Sequence, residues 1–362
     1  ITDELKTQEI KISRTYLLEE DSSPVFETNA KVVVEGSNNK TYNFVHTDSG
    51  VYKSTQPFSA KEGMSYILNI TTANGKKYKS ANETLPTKVE IDTVYAEFID
   101  IEGQNGIQVL VDSKTNPQNS NYFRYEYEET YKIIAPQWNQ FEAYVVSEEP
   151  PSVDIRLRTQ EEQICYGSKS SGSSFVFSTE SLNEDRVLEL PIRFIERSDF
   201  IIAHRYSILV KQLVQSERAF EFYQKLSELS NQGNLFSPNQ PGFLIGNIVS
   251  EEENSRGVTG YSDISSISSK RLFFDYEDFF EDITNPSYIV GCEQILKPEL
   301  DKDRFGNSEL ITAIQNETME YFNDNQGGVG SPPVGGPFIM VPRICGDCTT
   351  IGSNIVPEFW VE

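Results

Sequence analysis

Alternation of apolar and polar residues with a period of two recurs along most of this chain. Gly, Asn, Asp or Ser breaks it at intervals of roughly ten residues, and this limits the fold more than any other feature. It is plain in Glu9-Ile10-Lys11-Ile12-Ser13, in Ala30-Lys31-Val32-Val33-Val34 and in Tyr66-Ile67-Leu68-Asn69-Ile70. Turn signals stand between these runs: Gly36-Ser37-Asn38-Asn39, Asp48-Ser49-Gly50 and Asn74-Gly75. The Asn74-Gly75 pair predicts a tight hairpin, because both residues accept positive φ. Aromatic residues make up 12% of the chain, which reinforces the strand reading.

The fold class expected is mainly β. Short strands at this spacing predict an immunoglobulin- or fibronectin-like β-sandwich over residues 1–88. Leu85-Pro86-Thr87 marks the boundary, and a larger β-rich domain follows over residues 89–362. Its strands are expected at 92–101, 106–111, 122–128, 173–178, 187–195 and 207–213. Two helices interrupt them, near 216–232 and 308–323. Ser216 caps the first, with Ala219, Phe220, Tyr223, Leu226 and Leu229 as its apolar stripe; Ser308 caps the second, with Leu310, Ile311, Ile314 and Phe322 on one face. Both stripes read as helix-on-sheet packing. Residues 326–337, rich in Gly and Pro, read as a connector, with partner contact through Val329 and Val334 as the sharper reading.

Fifty-five acidic residues against 31 basic ones give a formal charge of −24. That balance opposes binding to nucleic acid and to anionic lipid headgroups. No apolar run approaches the roughly 20 residues needed to span a bilayer. Cys165, Cys292, Cys345 and Cys348 read as two structural disulfides with three possible connectivities. The Cys345-Gly346-Asp347-Cys348 spacing also suits zinc or a redox dithiol, but the second ligand pair and the strand-to-helix context are missing.

Catalytic chemistry finds no motif. The two histidines, His46 and His204, have no nucleophile elbow beside them, and neither phosphate-binding nor dinucleotide glycine motifs occur. Asp301-Lys302-Asp303-Arg304-Phe305-Gly306 begins like an EF-hand loop and fails at Phe305 and Thr312, so a turn before a helix is the simpler account. No metal and no cofactor is expected. The run from Phe273 to Asp282 mixes aromatics with carboxylates. It reads first as a strand entering an acidic loop, and second as a contact patch through Tyr276, Phe279 and Phe280.

Several short stretches together resemble the domain-of-unknown-function family 4249, outer-membrane lipoproteins of Bacteroidetes. They include Gly50-Val51-Tyr52, Gly63-Met64-Ser65-Tyr66, Gly75-Lys76-Lys77-Tyr78, Tyr122-Phe123-Arg124-Tyr125 and Cys165-Tyr166. Further on come Tyr206-Ser207-Ile208-Leu209, Gly246-Asn247-Ile248, Gly260-Tyr261, the Cys345 to Cys348 motif and Pro357-Glu358-Phe359-Trp360. Asp92-Thr93-Val94 is similar to the O-glycosylation acceptor of that phylum, which makes Thr93 a glycosylation candidate. The resemblance implies a lipidated cysteine upstream of Ile1, an incomplete first strand and attachment to the outer membrane facing the exterior. It further implies a non-catalytic accessory role beside an outer-membrane β-barrel, such as a TonB-dependent transporter or a secretion or assembly machine, with further surface lipoproteins as possible neighbours. Capture of a glycan, peptide or metal chelate for a transporter is the alternative.

Overall fold

The computed structural model describes residues 1–14, 25–114, 121–172, 175–182, 184, 186–231, 244–252, 258–281, 284–326 and 334–362. Strands dominate it, in several antiparallel sheets, with two substantial helices.

The first quarter of the chain does not separate into the two layers expected of residues 1–88. Its strands lie in one eight-stranded sheet curled into a half-barrel. From one edge to the other the order is Glu9–Lys11, Val51–Ser54, Thr41–Asp48, Lys31–Gly36, Ser65–Thr71, Lys77–Ser80 and Ile248–Ser250, with Glu83–Thr84 also pairing with Ser65–Thr71. The Asn74-Gly75 hairpin forms where expected, with Gly75 at φ 86°. Inside the curl, Val32, Val34, Phe44, Tyr52, Tyr66, Leu68 and Ile70 are buried together with Ile264. Both Ile264 and the last strand come from beyond residue 240, so the larger half of the chain completes the first sheet.

The main core lies between two other sheets. One contains Leu190–Glu196, Gln104–Ser113 and Ile91–Ile101; the other contains Ile164–Ser170, Tyr122–Ile134, Tyr206–Val214 and Ser266–Phe274, with Phe175–Ser178 added to Tyr122–Ile134. Alternate residues of facing strands meet in this core: Ile107, Val109 and Val111 from one sheet, Phe123, Tyr206, Ile208 and Val210 from the other. Tyr276 and Phe280 seal it at 3% and 5% exposure, with Phe279 half-buried against them. This corrects their second reading as a surface contact patch: the short helical turn Tyr276–Asp278 turns the aromatics inward, with Phe279 edge-on to Phe274 and Tyr276 against Phe280.

The first helix runs Glu217–Asn231, and the Ser216 hydroxyl accepts from the Ala219 N–H as a cap should. It buries Ala219 and Phe222, while Leu226 of the expected stripe is exposed. The second helix, Glu309–Gln315, is shorter than expected. Ser308 caps it, but Glu317 adopts φ 51°, and the chain then enters the strand Met319–Asp324, which takes Phe322 out of the helix. That strand pairs with Phe338–Pro342. With the hairpin Phe141–Glu148/Pro151–Leu157, it encloses a small core around Leu310, Tyr321 and Met340.

Candidate functional site

The half-barrel does not close, and its two edges line the same cavity of about 700 Å3. Residues Glu9, Ile10 and Lys11 contribute from one edge and Ile248 from the other, while Leu68, Ile70 and Tyr78 form the inner wall. Residues 258–263 run across the floor, beside Arg124 and Tyr223.

A buried polar network fixes that floor. The Glu83 carboxylate, only 7% exposed, accepts from the Tyr261 hydroxyl at 2.8 Å, from Asn247 Nδ2 at 3.0 Å and from the Ser216 hydroxyl at 3.3 Å. Asn247 Oδ1 in turn accepts from the Ser262 N–H at 2.8 Å. Burial and the adjacent Glu83 carboxylate push the Tyr261 phenol well above its usual range, so it stays a donor at neutral pH. Gly246 and Gly260 allow the two backbones to touch: a Cβ on Gly246 would stand 1.6 Å from the Gly260 carbonyl oxygen.

At the side of the floor, the Arg124 guanidinium lies 4.3 Å from the Tyr223 ring centre. Its Nη2 stands 3.5 Å from Asp263 Oδ2 and 3.6 Å from Glu126 Oε1. Burial works against its charge, and Tyr223, Asp263 and Glu126 more than offset that, so the group stays cationic. Asp263 also accepts from Gln215 Nε2 at 2.9 Å and the Ser265 hydroxyl at 2.8 Å. Among the described residues, the buried Arg124 Nε and Thr2 Oγ1 find no hydrogen-bond partner.

The cavity is lined by carboxylates, cations, hydroxyls and apolar side chains. Neither histidine lines the cavity. His46 packs edge-on against Tyr52, and His204 lies by a separate pocket of about 140 Å3, where burial and Lys132 lower its pKa. Among the described residues, no group of three or more His, Cys, Asp or Glu side chains is placed to hold a metal. The segment that began like an EF-hand is a tight turn in which Asp303 Oδ1 accepts from the Phe305 and Asn307 N–H groups.

The four cysteines form two disulfides, Cys165–Cys348 and Cys292–Cys345. The closely spaced pair is therefore shared between two bridges, which removes the zinc and dithiol readings. Of the expected contact residues, Val334 is 84% exposed, and Val329 lies outside the described residues. Thr93 is half-buried at a bulge in its strand. Sequence reasoning did not select Arg124, Tyr223, Asp263, Tyr261 or Glu83 as site residues. A signal was present, because Tyr122-Phe123-Arg124-Tyr125, Gly246-Asn247-Ile248 and Gly260-Tyr261 were among the family-like stretches.

The fold is mainly β, with an open cavity between two sheet edges. The chain belongs to the family described as Domain of unknown function (DUF4249), whose model matches residues 1–271. The Cys345 to Cys348 motif and the Pro357-Glu358-Phe359-Trp360 stretch lie beyond that match. No curated protein and no solved structure matches the chain.

Proposed function

We propose that this chain is a non-catalytic accessory subunit of an outer-membrane β-barrel complex, a surface-exposed lipoprotein held through a lipidated cysteine upstream of Ile1. One observation carries the reading: stretches that mark the family, around Arg124, Gly246-Asn247-Ile248 and Gly260-Tyr261, converge on one cavity between the open edges of the half-barrel. Four family-like stretches, those of Tyr78, Arg124, Ile248 and Gly260-Tyr261, thus meet at one surface. Two disulfides support an oxidising compartment, and the charge of −24 supports a location in open solvent. The half-barrel then serves as a variant immunoglobulin-like spacer between anchor and main domain. The barrel is a TonB-dependent transporter or part of a secretion or assembly machine.

Affinity purification of the tagged chain from detergent-solubilised membranes tests this. A barrel protein recovered in a fixed ratio is the expected result, and recovery as a lone monomer overturns it. A second reading is favoured by the cation and aromatic ring on the cavity floor: capture of a glycan, peptide or metal chelate for a transporter. Arg124→Met would then abolish binding of such compounds, measured by calorimetry on the isolated chain, without dissociating any barrel.

A further inference from the structure

The cavity lies between two strand edges, lined by Glu9 to Lys11 from one and by Ile248 from the other. In the Glu9–Lys11 strand the register pairs Glu9 with Lys53, Ile10 with Tyr52 and Lys11 with Val51. The Ser54 N–H donates to the Gln8 carbonyl at 2.9 Å, and the Ile12 N–H donates to the Gly50 carbonyl at 2.8 Å. Hydrogen-bonded pairs alternate along an antiparallel ladder, so Ile10 faces its partner strand, while the N–H and C=O groups of Glu9 and Lys11 face away from it.

The opposite edge has the same geometry. The Ala81 N–H donates to the Asn247 carbonyl at 2.7 Å and the Glu251 N–H to the Lys77 carbonyl at 3.0 Å. Val249 therefore faces inward to Lys79, while the backbone groups of Ile248 and Ser250 face away from the sheet. Among the described residues, no backbone hydrogen bond takes up the outward groups of Glu9, Lys11, Ile248 or Ser250. The floor segment reaches the second edge through the Asn247 side chain rather than through a ladder.

We propose that this gap receives an extended polypeptide segment of a partner protein, which adds a strand to the half-barrel. Residues that face the inner wall of Leu68, Ile70 and Ile248 are apolar in such a segment, and alternate residues are polar, because a strand presents its two faces by turns. A small polar ligand held at Arg124 would leave both ladders unpaired. The inference rests on the accessory-subunit reading for the source of the segment, but not for the chemistry of its recognition.

The test has two arms. In the first, the full chain is titrated with the fluorescent decapeptide KTVTVTVTVK and with a twin N-methylated at alternate residues, while amide hydrogen exchange is followed. The expected result is binding of the first peptide only, with slowed exchange at Lys11 and Ser250. Lys11→Pro and Ser250→Pro remove one outward donor each without touching the inner ladder. Each is expected to weaken binding by at least about tenfold at unchanged thermal stability.

In the second arm, the same amides are compared between the isolated chain and the barrel complex. If the chain co-purifies with a barrel and exchange at Lys11 and Ser250 is no slower there, the strand inference falls while the accessory reading stands. If no barrel co-purifies, the accessory reading falls and the peptide arm alone decides the inference. Equal binding of both peptides, or of neither, then overturns it.

Discussion

At Gly246 a single hydrogen in place of a methyl group lets two segments of the floor come into backbone contact. The obstacle to any larger residue is the Gly260 carbonyl, which cannot rotate aside as a side chain would. Gly246→Ala is expected to destabilise the protein by about 1–3 kcal/mol, as overpacking against fixed neighbours does, read as a lowered denaturation midpoint in urea. Arg124 shows why the site was only partly legible in the sequence. Its neighbours Tyr223 and Asp263 are 99 and 139 residues away along the chain, and no spacing rule links them. What the sequence carried was the identity of the stretches, and the topology alone brought them to one place. Tyr276 and Phe280 failed in the opposite sense. Aromatics among carboxylates look like a surface patch until a single turn of helix points the rings into the core.

Among the elements, hairpins and caps were legible because their determinants are local. Asn74-Gly75 and Ser308 act within four residues, and both do what their chemistry dictates. Ser308→Ala removes the acceptor for the Ile311 N–H and is expected to cost about 1 kcal/mol, measured by thermal unfolding. Helix length was not legible. The apolar spacing from Leu310 to Phe322 fits a helix, but the Met319–Asp324 strand finds a ladder in Phe338–Pro342, and tertiary pairing prevails over local periodicity. The half-barrel is the same lesson in strands: each strand could be read, whereas the partner of Lys77–Ser80 lies some 170 residues on.

For the whole molecule, the boundary drawn at residue 88 falls where the chain leaves one sheet for the next, and the first sheet draws on residues far beyond it. Residues 1–88 lack Ile264 from their own core and the edge strand Ile248–Ser250. A fragment of residues 1–88 is expected to lack the dispersed amide spectrum of a folded sheet, where an independent module would show it. The many buried phenols set the alkaline limit. Burial raises Tyr125 and Tyr206 well above the ordinary value, the latter also through Glu129, and raises Tyr288 to about 12, with Asp347 adding to it. The folded state therefore holds these protons more tightly than the unfolded chain, whose tyrosines titrate near pH 10. Their stabilisation is complete below pH 10 and is lost progressively above it. Urea midpoints falling from pH 10 to 11, with phenolate absorbance rising only on unfolding, are the expected readout.

The bridge between Cys165 and Cys348 spans 183 positions of sequence. A protease that severs any one peptide bond between those cysteines leaves both pieces covalently joined. Such a cut is silent on a gel run without reductant and appears only after reduction. A chain nicked there would thus stay one molecule, with both of its original ends still linked.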